Sequence, residues 1–201
     1  MILNQHVWKH KWGRYDDLVS VSKLECERMA IPYQVYTPIA GAVDTVIFEF
    51  QFEDMGEYDR FWARWYTEPE AQKYLRQLPD LAVTDEHRSE LYQVLVPTPI
   101  VQPAQGATAI LEQVVLKAKA EHKQEVIALS KAECDRWGYP HRLYTPMTGP
   151  HHVVILDMQF ESMAERDRQW AKFGATPEFQ AFHKRIHELL QDEERQYYRV
   201  V

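Results

Sequence analysis

The chain has 201 residues, 45% of them hydrophobic, and its 30 acidic against 23 basic side chains give a formal charge of −7. That length allows one large domain or two ordinary ones, each with its own core; the acidic balance argues against a nucleic-acid partner, because such binding draws on basic surface. No apolar run approaches the ~18 residues of a membrane span, the opening M-I-L-N-Q-H-V-W-K-H-K-W lacks a signal-peptide layout, and two cysteines make no disulfide framework, so a cytoplasmic, reducing compartment is expected.

Residues 5–12 alternate, with Trp8, His10 and Trp12 on one face and Val7, Lys9 and Lys11 on the other. They predict a first strand, ended by Gly13. Leu18, Val21, Leu24, Cys26 and Met29 then recur at helical spacing, so residues 14–29 form an amphipathic helix that Pro32 stops. A short strand at 33–37 and a P-I-A-G turn lead into V-D-T-V-I-F-E-F-Q-F-E at 43–53. There Val46, Phe48, Phe50 and Phe52 share one face, and Thr45, Ile47, Glu49 and Gln51 the other. Asp54 caps a second helix with Met55, Tyr58, Trp62 and Trp65 inward, and Pro69 suits the first turn of a further helical piece reaching Leu78. T-D-E-H-R-S-E reads as a polar connection to a last strand at 91–96. Residues 97–107 hold three prolines and a glycine and read as a semi-rigid linker.

After the linker the order strand, helix, strand, strand, helix, strand returns, ending in a predicted strand at 196–201. Subtracting 108 lays the second half over the first without a gap from Ser22 to Gln72. Glu25-Cys26 meets Glu133-Cys134, Tyr36-Thr37-Pro38 meets Tyr144-Thr145-Pro146, Gln51-Phe52-Glu53 meets Gln159-Phe160-Glu161, and Trp62-Ala63 meets Trp170-Ala171. Right-handed crossovers make each unit a four-stranded antiparallel sheet with both helices on one face, and two such sheets can cover each other's bare faces. The predicted fold class is therefore α+β: tandem ferredoxin-like βαββαβ repeats at 1–96 and 108–201, packed sheet to sheet.

The chain resembles the dimeric α/β-barrel superfamily. Tyr36-x-Pro38, the glycine turn, the strand ending in Phe52-Glu53 and the helix running into Thr67-Glu68-Pro69-Glu70 resemble its NIPSNAP-like branch, and Thr176 to Phe179 repeats the last motif. The resemblance implies an intramolecular dimeric α/β barrel. It also implies chemistry of the cofactor-free monooxygenase or isomerase type on a small organic molecule that sits between sheet and helices. The alternative is a non-catalytic ligand-binding or protein-interaction module. Haem-degrading members use an Asn, a Trp and a His; the chain's one Asn, Asn4, lies ahead of the predicted first strand, so no cofactor is expected. The chain itself is expected to be a monomer or homodimer.

Two candidate ligand sites follow from the strand faces. Glu49 and Gln51, with Asp157 and Gln159, face the barrel interior, where Lys9, Lys117, Tyr36 and Tyr144 are expected beside them, and Gln34 and Arg142 complete the lining. Paired carboxylates there suit acid/base work; the same set also suits a charge-balanced contact that only fixes register. The second candidate is a pocket between helices and sheet in the first repeat, with His10, Trp12 and Trp62; the alternative is a core that the other copy repacks with smaller residues. No metal site is predicted: His183 and His187 stand at i, i+4 without the following Glu of a zinc protease, and His151 and His152 point to opposite faces. Cys26 and Cys134 are expected to be half-buried thiols, and Asp59-Arg60 a surface pair.

Overall fold

A computed structural model describes residues 1–40, 42–97, 109–138 and 140–201. Of the stretch read as a linker, all but Pro97 lies outside them, as does Gly41 of the predicted turn. The described residues form six α-helices and eight strands, an α+β protein. They fall into two compact units, Met1–Leu91 and Tyr92–Val201. No helix among them is long and apolar enough to cross a membrane.

The first unit runs β1 (Ile2–Lys9), α1 (Tyr15–Met29), β2 (Tyr33–Pro38), β3 (Thr45–Phe52), α2 (Met55–Trp65) and α3 (Pro69–Leu81), then enters β4 (Arg88–Val96). β3 is the central strand, antiparallel to β1 on one side and β2 on the other. Asp54 caps α2 by accepting the Glu57 N–H at 2.8 Å, and Pro69 stands in the first turn of α3, where no N–H is needed. α1 ends at Ala30, whose positive φ of 55° takes the left-handed C-cap conformation. Phe48 and Phe50 turn to the helices and line a cavity with residues of α1, α2 and α3.

The second unit takes β4 from Tyr92 on, then β5 (Ala109–Ala118), α4 (Lys123–Trp137), β6 (His141–Pro146), β7 (Val153–Phe160), α5 (Met163–Gly174), α6 (Pro177–Leu189) and β8 (Leu190–Val200). Its strands lie in the order β8, β5, β7, β6, β4. The first four reproduce the ferredoxin-like arrangement, and Tyr92–Val96 adds a fifth strand against β6. Ser162 and Thr176 cap α5 and α6. Val114, Leu116, Val154, Leu156 and Met158 meet Val126, Cys134, Ile186 and Leu189 in one core under the helices.

Four elements depart from their predicted bounds by three residues or more. β1 starts at Ile2 and ends at Lys9, because the chain turns at Trp12–Gly13 with φ +73° at the glycine. Trp12 is therefore fully exposed. β4 and β8 begin earlier than predicted, at Arg88 and Leu190. β8 opens with charges on both faces and β4 with the wholly polar Arg88-Ser89-Glu90, so neither opening shows an oily period of two. α3 continues past Leu78 to Leu81 with Pro79 inside its last turn.

Candidate functional site

Register decides what stands beside the carboxylates. β1 and β3 pair so that Gln5 is opposite Glu49, while Lys9 is opposite Thr45. Lys9 was expected beside Glu49; instead it reaches Glu86 and Asp44 at the unit's edge, at 3.2 and 3.4 Å. Lys117 repeats the departure: Gln113 is opposite Asp157, and Lys117 lies opposite Val153 and bonds Asp192 and Glu194. An antiparallel pair moves the partner back one residue for each step forward, so both lysines sit four residues from the predicted place.

The rest of that polar set is assembled on the face away from the helices. Glu49 is fully buried, accepting from Gln5 Nε2 at 2.9 Å and from the Tyr36 hydroxyl at 3.2 Å; that hydroxyl also lies 2.9 Å from Gln34 Oε1. Asp157 accepts from Arg142 at 2.6 Å, from Tyr144 at 3.1 Å and from Gln113 at 3.3 Å. Gln51 and Gln159 are half-buried neighbours on their strands. Each carboxylate is thus held by two or three donors, the arrangement that makes a buried charge tolerable.

The face toward the helices is different. In the first unit a cavity of about 150 Å³ opens between sheet and helices, walled by His6, Trp8, Phe48 and Phe50 of the sheet, by Trp62, Trp65 and Tyr74 of the helices, and by His87. Trp62 stands in this wall. His10 and Trp12 do not: His10 bonds the carbonyls of Lys11 and Val43, and Trp12 stands in solvent. Because β1 begins at Ile2, the residues facing the cavity are His6 and Trp8.

A hydrogen-bond chain fixes the histidines. Asn4 sits inside β1, fully buried, and its Nδ2 donates to Ser89 Oγ at 3.0 Å and to the Glu90 carbonyl at 3.1 Å. Its Oδ1 must then accept, so His6 Nε2 carries a proton toward it at 2.8 Å. His6 Nδ1 is left as acceptor and takes the His87 Nε2 proton at 3.1 Å. His87 keeps a bare Nδ1. Burial, and then the neighbouring His87, push the His6 pKa down to about 3; burial lowers His87 as well. Both rings are therefore neutral at pH 7. His87 stacks on Trp8 with centroids 3.8 Å apart, and His6 lies 5.1 Å from the Trp62 ring.

The second unit carries the matching space almost filled. Its cavity measures about 40 Å³. Under the offset of 108, Asn4 becomes Glu112, His6 becomes Val114, Tyr58 becomes Arg166 and His87 becomes Arg195. Glu112 is fully buried and accepts from Arg166 at 2.8 Å, Arg195 at 3.0 Å and Trp170 Nε1 at 2.7 Å. Burial alone would raise its pKa, but these hydrogen bonds and the two arginine charges outweigh that and lower it. Trp62, the equivalent of Trp170, has no acceptor for its buried Nε1 among the described residues. Likewise Ser22 bonds Tyr74 at 3.0 Å, whereas Ser130 and Phe182 line the matching space and the Ser130 hydroxyl has no partner among the described residues.

Other candidates settle quietly. Cys26 and Cys134 are free and fully buried, more so than predicted, and burial raises both thiols to about 12, which keeps them from acting as nucleophiles. Among the described residues, no group of three His, Cys, Asp or Glu side chains is placed to hold a metal ion.

The sequence matches the NIPSNAP family over residues 118–201, all within the second unit. No curated protein matches it. Solved structures do, across the whole chain. A candidate monooxygenase from Fusobacterium nucleatum aligns with TM-score 0.74 at 12% identity, over 99% of this chain and 91% of the other. One from Lactobacillus acidophilus aligns with TM-score 0.72 at 8% identity, over 100% and 92%. An anthrone oxidase-like protein gives 0.62 at 12% identity, over 100% and 91%. At such identities the likeness is one of fold. Residues 118–201 thus match the NIPSNAP family, within a fold that these solved structures share along the chain's full length.

Proposed function

We propose that the protein binds a small, flat organic molecule in the helix–sheet cavity of the first unit and takes a proton from it. The observation that carries this is the neutral histidine pair, with its bare His87 Nδ1, in the wall of an aromatic cavity that the second unit fills with Glu112, Arg166 and Arg195. A base must be unprotonated to work, and the lowered pKa of both rings keeps them so at pH 7. In the step envisaged, a C–H proton beside a carbonyl passes to His87 Nδ1, and the enolate oxygen accepts the Trp62 N–H. Returning the proton to a different carbon is an isomerisation. With dioxygen as co-substrate, the anion instead forms a C–O bond, and the resulting hydroperoxide loses water to give a ketone. The names of the similarly folded proteins, candidate monooxygenases and an anthrone oxidase-like protein, support the second branch.

Proton abstraction can be tested without knowing the natural substrate. Cyclohexanone in D2O with the protein should exchange its α-protons faster than in buffer, as followed by proton NMR. His87→Gln should slow the exchange by about 10²-fold or more. Exchange at the buffer rate with the intact protein would falsify the catalytic reading. A second reading, binding without turnover, is favoured by the cavity's small volume and would show as ligand binding with no exchange. The matched elements and the constant offset support descent of the two units from one duplicated module. Two buried free thiols support a reducing, cytoplasmic setting.

A further inference from the structure

We infer that the ligand of the first unit's cavity is a neutral single-ring phenol or its keto tautomer, held by its oxygen against the Trp62 indole N–H. This rests on the reading of that cavity as a ligand site and adds the class of molecule.

Size comes first. A cavity of about 150 Å³ matches one benzene-sized ring, the guest that a dry apolar cavity of that volume accepts in another protein. The walls are Trp8, Phe48, Phe50, Trp62 and Trp65, whose faces and edges suit a flat ring. Polarity comes second. Trp62 is 9% exposed, borders the cavity, and its Nε1 has no acceptor among the described residues. The matching indole, Trp170, gives its proton to Glu112 at 2.7 Å. The first unit has Asn4 at that place, and its Oδ1 accepts from His6. A buried N–H deprived of its partner favours any guest that brings an acceptor. His87 Nδ1 is the complementary feature, an acceptor facing no donor among the described residues. A hydroxyl both accepts and donates, so one phenolic oxygen answers both groups; the keto tautomer answers Trp62 alone. Charge comes third. Among the described residues Glu25 is the one acidic or basic side chain in the wall besides the histidines, and it is already engaged by Arg28 and by Trp65 Nε1. No Lys or Arg among the described residues lines the cavity, so a carboxylate would be buried there without a counter-ion.

Calorimetric titration of the full chain with phenol, toluene and benzoate tests this, because toluene keeps the shape of phenol and lacks the oxygen. Phenol should bind about tenfold or more tighter than toluene, and benzoate should not bind. In a nitrogen-15 spectrum one indole N–H should move downfield with phenol and not with toluene, and Trp62→Phe should remove that resonance. Equal affinity for phenol and toluene, or a shift at another tryptophan, would overturn the phenol assignment and leave the cavity as a site for apolar rings. Binding of none of the three would overturn the cavity reading and this assignment with it. If Trp62→Phe fails to fold, the phenol-to-toluene ratio on the intact protein decides.

Discussion

His6 shows how far a single half-buried side chain can bias a protein's response to pH. Its folded pKa of about 3 lies below the ordinary 6.5, so between those values the unfolded chain binds a proton that the folded chain refuses. The residue's contribution is complete above pH 6.5 and declines as pH falls toward 3, by about 1.4 kcal/mol per unit. Melting curves should therefore drop steadily from pH 6.5 to pH 4, and His6→Gln should flatten that drop; an unchanged slope would show that the ring is not held neutral. Glu112 sets the opposite problem, a buried carboxylate between two arginines. Removing it in Glu112→Ala leaves Arg166 with Asp167 and Arg195 with Glu193 as their remaining carboxylate partners and should cost about 3 kcal/mol in urea denaturation, while Asn4→Ala should cost less, about 1–2 kcal/mol. Neither role was visible in the residue types alone. The signal was the offset of 108, which sets His6 against Val114 and His87 against Arg195. Paired positions that are ionic or apolar in one unit and neutral polar in the other are the ones that line the two cavities differently.

At the scale of elements, the sequence was most legible where one face is oily. β3 and β7 alternate cleanly because Phe48, Phe50, Leu156 and Met158 meet the helices and Glu49 and Asp157 look the other way. It was least legible in β8, where Asp192 and Glu194 reach outward to Lys117 while Glu193 and Arg195 line the helix side. Two charged faces leave no period for hydrophobicity to mark. In β1 the alternation of residues 5–12 runs on past the strand's end at Lys9, which displaced the predicted strand by three residues and so exchanged His6 for His10 in the candidate pocket. Helix starts were easier, since a cap is a local device. Asp54→Ala should lower stability by about 1 kcal/mol, measurable by denaturant unfolding; a larger loss would mean that the carboxylate does more than accept the Glu57 N–H.

At the scale of the whole molecule, the two units divide inside β4, after Leu91. The expected first repeat runs to residue 96, yet Tyr92, Gln93, Val94 and Val96 pair with β6 of the second unit. The Tyr92 ring meets Tyr144 edge-on at 5.1 Å and is buried. Tyr92→Ala should destabilise the second unit by about 3 kcal/mol and speed amide exchange along β6; unchanged β6 exchange would refute the pairing. Fold class and face assignment were thus readable from a repeated pattern. The cavity was not, because it arises from what one copy lacks. The sharpest test of that asymmetry is the place of a bound ring, found from NOEs between phenol and the labelled protein. One ring per chain, with contacts to Trp62 and Phe50 and none to Trp170, is the expected result. A ring against Trp170, or equal occupancy of both units, would contradict it.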